Sequence, residues 1–137
     1  MILFFSAPGK PVAKGRPRFS RRGNFVKTFT DEKTMRYEDC IAFYAREAMG
    51  RVDYSFPIDA PVKVGICATF QRPKSRKAGC QMDRKPDLDN VVKAVLDGLS
   101  NAGAITNDSR VVEIQASKQY GDSTETVVWL DLCPSSL

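Results

Sequence analysis

The part of the chain that most constrains its fold is a strongly periodic stretch between Pro86 and Gly103. Its apolar residues recur at helical spacing and form one stripe, and Gly103 is a natural helix stop. The stripe consists of Leu88, Val92, Val95, Leu96 and Leu99. This pattern predicts an amphipathic helix over about residues 89–102.

Further patterns along the chain predict strands and one more helix. Residues 62–70 alternate between apolar and polar side chains, which is typical of a strand with one apolar face. Residues 1–7 and 23–29 have shorter strand patterns. Thr30 suits an N-cap and Gly50 suits a stop, and the apolar residues between them predict a first helix.

Two β-rich runs follow the second predicted helix, at residues 111–120 and 124–132. The turn residues Gly121, Asp122 and Ser123 separate them, which predicts a hairpin. The predicted order is therefore β-β-α-β-α-β-β, an α+β fold. With 137 residues, 42% of them hydrophobic, and no repeat, we expect a single globular domain over residues 1–137 and not a disordered or fibrous chain.

The first residues and the cysteines indicate where the protein works. The apolar run at residues 1–5 has no basic leader and soon meets Pro8 and Lys10, so we expect a buried strand and no signal peptide or membrane span. The four cysteines are widely spaced and the chain has no histidine, which excludes zinc-finger spacing. We expect reduced thiols and a cytoplasmic protein.

The positive charge is concentrated in two segments, both of which we expect to be exposed loops. Residues 10–27 hold seven basic and no acidic residues, and residues 71–85 hold six basic residues and one acid. Basic side chains arranged along phosphates favour a nucleic-acid partner, although solvated basic loops are the simpler alternative. The candidate DNA-binding residues are Lys14, Arg16, Arg18, Arg21, Arg22, Arg72, Lys74, Arg76, Lys77, Arg84 and Lys85.

Two carboxylates stand at the start of the second predicted helix. Asp87 and Asp89 can hold one ion together only if Asp87 lies before the first turn, and Pro86 favours that arrangement. Carboxylate oxygens suit Mg²⁺, which keeps water ligands for substrate exchange. Alternatively, both acids only stabilise the helix start. Lys93 either meets a bound phosphate or is an ordinary i,i+4 partner of Asp89.

A third carboxylate, Asp108, lies in a polar loop just after this helix. A helix over residues 89–102 is about 20 Å long, so Asp108 begins near the end remote from Asp89. Five or six extended residues, at about 3.3 Å each, span that distance with little slack. Either the loop returns along the helix, or Asp108 of one subunit completes the site of another. Taken alone, a loop carboxylate is usually a solvated turn residue.

These residues, taken together, resemble a known family. The run Asp87-Leu-Asp-Asn-Val-Val-Lys-Ala-Val-Leu-Asp-Gly-Leu-Ser-Asn-Ala-Gly103, followed by Asn107-Asp108 and Val111-Val112, resembles the RusA family of Holliday junction resolvases of bacteria, phages and prophages. The run Pro11-Val-Ala-Lys-Gly-Arg-Pro-Arg-Phe19 is similar to the basic signature of many members. The matches touch most of the chain, and the central run is the most specific. One departure is Asn107, where many relatives carry a further acid.

The resemblance implies both a fold and a function. It implies a dimer of mixed α/β subunits, each a mixed sheet packed by two helices, that cuts four-way DNA junctions in recombination and repair. It places Asp87, Asp89 and Asp108 on the metal-binding acids and Lys93 on the catalytic lysine, with Mg²⁺ as the metal, Mn²⁺ as a substitute and no organic cofactor. Asn90 and Asp97 also match the family pattern.

Two other classes of function stay open at this point. One is a non-catalytic nucleic-acid-binding module, which would bind equally with and without Mg²⁺ and cleave nothing. The other is a metal nuclease for a different branched DNA or phosphate substrate, such as a flap or a nucleotide. Cleavage of a four-way junction, a flap and a linear duplex would separate these readings.

Overall fold

The computed structural model describes residues 1–15, 18–23, 25–29 and 31–134, with side chains described outside 18–22 and 25–29. Its helices and strands are β1 (Leu3–Pro8), β2 (Arg18–Arg22), β3 (Phe25–Phe29), α1 (Glu32–Met49), β4 (Val62–Gln71), α2 (Leu88–Ala102), β5 (Val111–Gly121) and β6 (Glu125–Leu132). A single 3₁₀ turn, Asp108–Arg110, precedes β5. Both predicted helices are confirmed.

The main sheet has four strands in the order β1-β6-β4-β5. Strands β4 and β5 run parallel and are joined through α2, whereas the β1–β6 and β4–β6 pairs are antiparallel. The expected α+β class with a mixed sheet is therefore confirmed. The parallel pair matters for function, because it places the start of α2 and the start of β5 at opposite ends of the sheet.

The predicted β5–β6 hairpin is wrong. The two strands run in opposite directions, but β4 lies between them and pairs with both. Strand β4 is buried along nearly its whole length, so a neighbour on each edge satisfies its backbone groups. The turn residues after Gly121 mark a chain reversal, and that reversal spans the end of β4 instead of joining adjacent strands.

The first basic segment contains a strand where we expected only a loop. Arg18–Arg22 forms β2, which pairs antiparallel with β3 in a separate two-stranded sheet. Gly23 connects the two strands with a φ of 60°, a conformation that favours glycine. The residues that predicted a loop, Pro11, Gly15 and Pro17, all precede the strand.

Both helices pack on one face of the main sheet and form the core with it. Ile41 of α1, Leu99 of α2 and Ile66 of β4 are fully buried in this cluster. The helices approach closely at Gly98, where an added Cβ would lie 2.7 Å from Cγ2 of Ile41. Within the described ranges, no helix is long and apolar enough to cross a membrane.

Candidate active site

A cavity of about 600 Å³ opens at the N-terminus of α2. It is lined by Ala13, Lys14, Gly15, Lys85, Pro86, Asp87, Asp89, Asn90 and Lys93. The fold thus brings two predicted acids, the predicted lysine and two predicted basic residues to one place. They come from the first basic segment, the second basic segment and the first two turns of α2.

Asp87 lies just before the helix, as its proposed role requires. Its backbone is extended, with φ −67° and ψ 136°, and its carbonyl accepts from the amide of Val91. The Asp87 carboxylate makes no capping hydrogen bond, so the helix start does not use it. Asp89 lies in the first turn, where one carboxylate oxygen accepts from the Asn90 amide at 2.9 Å. Both acids and Lys93 are exposed to the cavity.

Lys14 is held by the protein itself. Its ammonium donates to Glu38 of α1 at 2.9 Å and to Asp97 of α2 at 2.5 Å, and its backbone amide donates to the carbonyl of Asn90. Burial acts to lower the pKa of Lys14, but the hydrogen bonds and charges of Asp97 and Glu38 outweigh it and raise that pKa above its ordinary value. Lys14 therefore fastens the first basic segment to both helices beside the cavity.

Sequence reasoning missed Glu38. Its side chain is only 8% exposed, because α1 turns it toward the other helix. It lies three residues before Ile41 and seven before Ala45, on the buried face of α1. A charged residue on an apolar helical stripe, together with a lysine elsewhere that lacks an obvious partner, is the signal that could have found this pair.

The second basic segment is a loop, as expected, but a well-anchored one. Its residues 79–82 run along β5, where the Tyr120 amide donates to Cys80 at 2.9 Å and the Met82 amide donates to Lys118 at 3.3 Å. The Met82 side chain is buried in a small cluster that includes Phe70 and Tyr120. This anchoring sets the position of Lys85 at the cavity rim.

The basic residues of this loop fall into two groups. Arg72 pairs with Asp122 at 2.6 Å, and Arg76 pairs with Asp83 at 3.6 Å, so both hold the loop together. The other group is exposed and consists of Lys74, Lys77, Arg84 and Lys85. In the first basic segment, Arg16 lies outside the described residues. For Arg18, Arg21 and Arg22, only the backbone, in β2, is described.

Asp108 lies away from the other two acids within one chain. Residues 104–106 are fixed by hydrogen bonds to Ile58, so the chain after α2 does not return along the helix. Asp108 is exposed and begins the 3₁₀ turn before β5. Asn107 caps this turn, because its side chain accepts a hydrogen bond from the Ser109 amide at 2.8 Å. Among the described residues, no three acids, cysteines or histidines are grouped closely enough to hold a metal.

The distance between these acids follows from the sheet. At the far end of β5 from Asp108, the Lys118 ammonium donates to the carbonyls of Arg84 and Pro86 at 2.5 and 2.7 Å. The Pro86 carbonyl directly precedes Asp87. Lys118 is seven positions beyond Val111 along the strand, which is roughly 23 Å at about 3.3 Å per residue. Of the three predicted acids, a single chain therefore brings Asp87 and Asp89 to this cavity, and not Asp108.

Residues 8–131 match the family described as Endodeoxyribonuclease RusA. The chain belongs to the RusA family. A Bacillus subtilis (strain 168) protein described as uncharacterized protein YqaN is 29% identical over 133 residues, which cover 92% of this chain and 93% of that protein. The RusA family comprises endodeoxyribonucleases that act on branched DNA junctions, so the resemblance seen in the sequence is confirmed. The match spans both basic segments and the cavity at the start of α2.

Proposed function

We propose that this chain is a structure-selective endodeoxyribonuclease that resolves four-way Holliday junctions by metal-dependent hydrolysis of phosphodiester bonds. The observation that carries the proposal is the cavity in which Asp87, Asp89 and Lys93 meet, in a chain of the RusA family. We infer that it acts in recombination and repair, as one domain over residues 1–137, in the cytoplasm. Its four free cysteines suit a reducing compartment.

The donor atoms at this cavity suit a hard divalent cation. The Asp87 carboxylate is exposed and makes no capping hydrogen bond, and Asp89 keeps one oxygen outside its bond to Asn90. Carboxylate oxygens are the ligands that Mg²⁺ and Mn²⁺ prefer, and Mg²⁺ needs only one or two of them beside its waters. When bound, such a cation lowers the pKa of a water ligand and offsets negative charge on the phosphate.

The protein's own residues supply binding and charge. Lys93 lies one turn into α2 on the cavity wall, where its ammonium would neutralise the charge that grows on the phosphate oxygens in the transition state. The exposed Lys77, Arg84 and Lys85 would contact backbone phosphates, which recognise the shape and charge of a junction more than its sequence. The chain has no histidine, the most frequent general base, so we infer that a carboxylate at the cavity takes a proton from the attacking water.

We further propose that the protein acts as a homodimer in which the partner subunit's Asp108 completes each site. Two observations support sharing. Asp108 is exposed at the opposite end of β5 from the cavity, and residues 104–106 are held against Ile58. Two such sites in one dimer would cut opposite strands of the junction.

The main test is a gel assay on a synthetic mobile four-way junction with Mg²⁺, with Mn²⁺ and with EDTA. We expect paired symmetric nicks with either metal and none with EDTA. Asp87→Asn should bind the junction as the native protein does. It should cleave the junction more slowly by roughly 100-fold or more, which is the size of effect typical of a lost catalytic group. Asp39→Asn, an exposed aspartate on α1, is the matched control and should cleave normally.

Three results would overturn this proposal. Full cleavage by Asp87→Asn would remove the acid pair from catalysis. Binding without cleavage in every metal would favour the non-catalytic module, and faster cleavage of a flap or linear duplex than of the junction would assign a different substrate. For the shared site, a mixture of Asp87→Asn and Asp108→Asn subunits should regain part of the activity, since one of the two sites in a mixed dimer would be intact. No regained activity would count against sharing.

A further inference from the structure

The main chain just before Asp87 is held by Lys118. In the part of the chain that the structure describes, residues 83–86 form no hydrogen bond from their main chain to another main-chain atom. Two of their carbonyls, those of Arg84 and Pro86, accept instead from the Lys118 ammonium at 2.5 and 2.7 Å. Lys118 therefore attaches this stretch of main chain to the sheet.

Lys118 itself lies on a well-anchored part of the sheet. It belongs to β5 and pairs with Ala68 of β4 in the parallel register. On the other side of β5, the Lys118 carbonyl accepts from the Met82 amide at 3.3 Å, and the Tyr120 amide donates to Cys80 at 2.9 Å. A residue in a strand with partners on both sides holds a functional group more exactly than a loop residue does. The ammonium of Lys118 is thus a fixed reference point for the stretch before Asp87.

The Pro86 carbonyl determines how the main chain enters Asp87. This carbonyl and the Asp87 amide belong to one planar peptide, so fixing the carbonyl fixes the orientation of that peptide. On its other side, Asp87 is held by α2, because its own carbonyl accepts from the Val91 amide at 3.3 Å. Asp89 lies within α2. The bond from Lys118 to Pro86 therefore contributes to the position of the first acid relative to the second.

We propose that Lys118 is a positioning residue of the nuclease, which holds the Asp87 carboxylate where it and Asp89 can share one divalent cation. This inference rests on the proposed function. The cavity is lined by Asp87, Asp89 and Lys93 among others, whereas Lys118 reaches it only through the main chain of residues 84–86. Water could satisfy the two carbonyls in place of the ammonium, but water would not tie them to β5. The two bonds thus matter for the position of the acid.

The charge of Lys118 and its positioning role affect metal binding in opposite directions. A positive charge near a cation repels it, so loss of the charge alone would strengthen metal binding. Loss of a group that orients a ligand weakens metal binding, because Mg²⁺ and similar cations need their carboxylate ligands in a defined geometry. The sign of the change in metal affinity when the ammonium is removed therefore separates the two effects.

The test measures Mn²⁺ binding and junction cleavage by native protein and by Lys118→Met, which keeps the apolar stem and removes the ammonium. The electron paramagnetic resonance signal of free Mn²⁺ gives the metal affinity, and Asp87→Asn identifies the part of the binding that belongs to this cavity. We expect Lys118→Met to bind Mn²⁺ more weakly than native protein. It should cleave a saturated junction more slowly by roughly 10- to 100-fold, since a misplacement of about 1 Å can cost about 100-fold.

Three further measurements complete the comparison. The circular dichroism spectrum of Lys118→Met and the salt slope of its junction binding in EDTA should equal those of native protein. Lys118→Arg keeps the charge and several N–H donors, and it should regain part of the cleavage rate that Lys118→Met loses. The matched control is Lys63→Met, at a lysine of β4 that pairs with Glu113 at 3.5 Å. It should behave as native protein in every assay.

Several outcomes would overturn the positioning role. Equal or tighter Mn²⁺ binding by Lys118→Met, or a Lys118→Arg no faster than Lys118→Met, would exclude it. A reduced salt slope would make Lys118 a phosphate contact, and an altered circular dichroism spectrum would assign it to the fold. The proposed function is judged separately. If native protein and Lys118→Met cleave junctions equally well, the positioning role fails and the nuclease stands. If Lys118→Met binds Mn²⁺ more weakly but native protein never cleaves, the nuclease fails and the positioning of the acid pair stands.

Discussion

Replacing Lys14 tests whether this residue of the first basic segment stabilises the fold or contacts DNA. Replacing it with methionine keeps the apolar stem and removes the ammonium that donates to Glu38 and Asp97. The Glu38 side chain is 8% exposed, so the variant leaves a nearly buried carboxylate without its cation. Breaking a fully buried ion pair costs about 3–5 kcal/mol, and an exposed pair is worth about 0–1 kcal/mol.

The expected loss for Lys14→Met lies between these limits. Lys14 and Asp97 are 21% and 29% exposed, so solvent screens part of the interaction. We therefore expect the free energy of unfolding to fall by about 2 kcal/mol. Urea denaturation followed by the fluorescence of Trp129, the single tryptophan, measures this change. Lys74→Met, at an exposed lysine, is the control and should shift it by less than about 0.5 kcal/mol.

The pH dependence of this effect has a definite sign. Because the pKa of Lys14 is raised in the folded protein, its contribution to stability is complete below the ordinary lysine pKa of about 10.4. The contribution is lost as the pH rises through the higher folded-state value. The stability difference between native protein and Lys14→Met should therefore be constant from pH 6 to 9 and shrink only above about pH 10.4.

A second assay asks whether the same lysine contacts DNA. Each phosphate contact adds about 0.9 to the slope of log K against log salt, which is roughly 3.5-fold in affinity between 50 and 200 mM. Since Glu38 and Asp97 already bind the Lys14 ammonium, we expect the salt slope of junction binding to be unchanged in Lys14→Met. If Lys14→Met kept the stability of the native protein and its salt slope of junction binding fell by about 0.9, this reasoning would be refuted. Lys14 would then be a phosphate contact.

Three further predictions concern the helix contact, a buried hydroxyl pair and the exposed loop. Gly98→Ala should lower the free energy of unfolding by about 1–3 kcal/mol, because its Cβ would lie 2.7 Å from Ile41; strict additivity with Ile41→Ala in urea denaturation would contradict the clash. Tyr37→Phe should cost about 1–2 kcal/mol, since it leaves the buried Thr126 hydroxyl without its 2.6 Å partner. Burial raises the pKa of Tyr37, so native stability should fall as the pH rises above about 10, and an equal fall in Tyr37→Phe would contradict this cause. Arg84→Met should reduce the salt slope of junction binding by about 0.9 and leave stability within about 0.5 kcal/mol; an unchanged slope would exclude Arg84 as a phosphate contact.

The elements that were predicted well are those whose pattern is local. Helix α2 was found from the spacing of its stripe and from Gly103, which ends it with a φ of 79°. The placement of Asp87 before the first turn also followed from local chemistry, because Pro86 fixes its own φ and restricts Lys85 toward an extended backbone. Strand β4 was visible from its alternation for the same reason.

The errors concern which segments meet. Turn residues after Gly121 indicate that the chain reverses, but they cannot indicate that β4 occupies the space between β5 and β6. Likewise, charge alone made Lys14 a candidate for DNA. Its two carboxylate partners are 24 and 83 residues away in the chain, and only the packing of α1 against α2 brings them together.

The amino-acid sequence by itself determined the two helices, most of the strands, the acid pair at the mouth of α2 and the family, because each depends on neighbours a few residues apart. Only the tertiary structure decided the strand order, the internal pairing of Lys14 and the separation of Asp108 from Asp87 within one chain. These depend on contacts between distant segments, which compete for the same sheet edges and buried partners. That competition is settled by packing the whole chain at once.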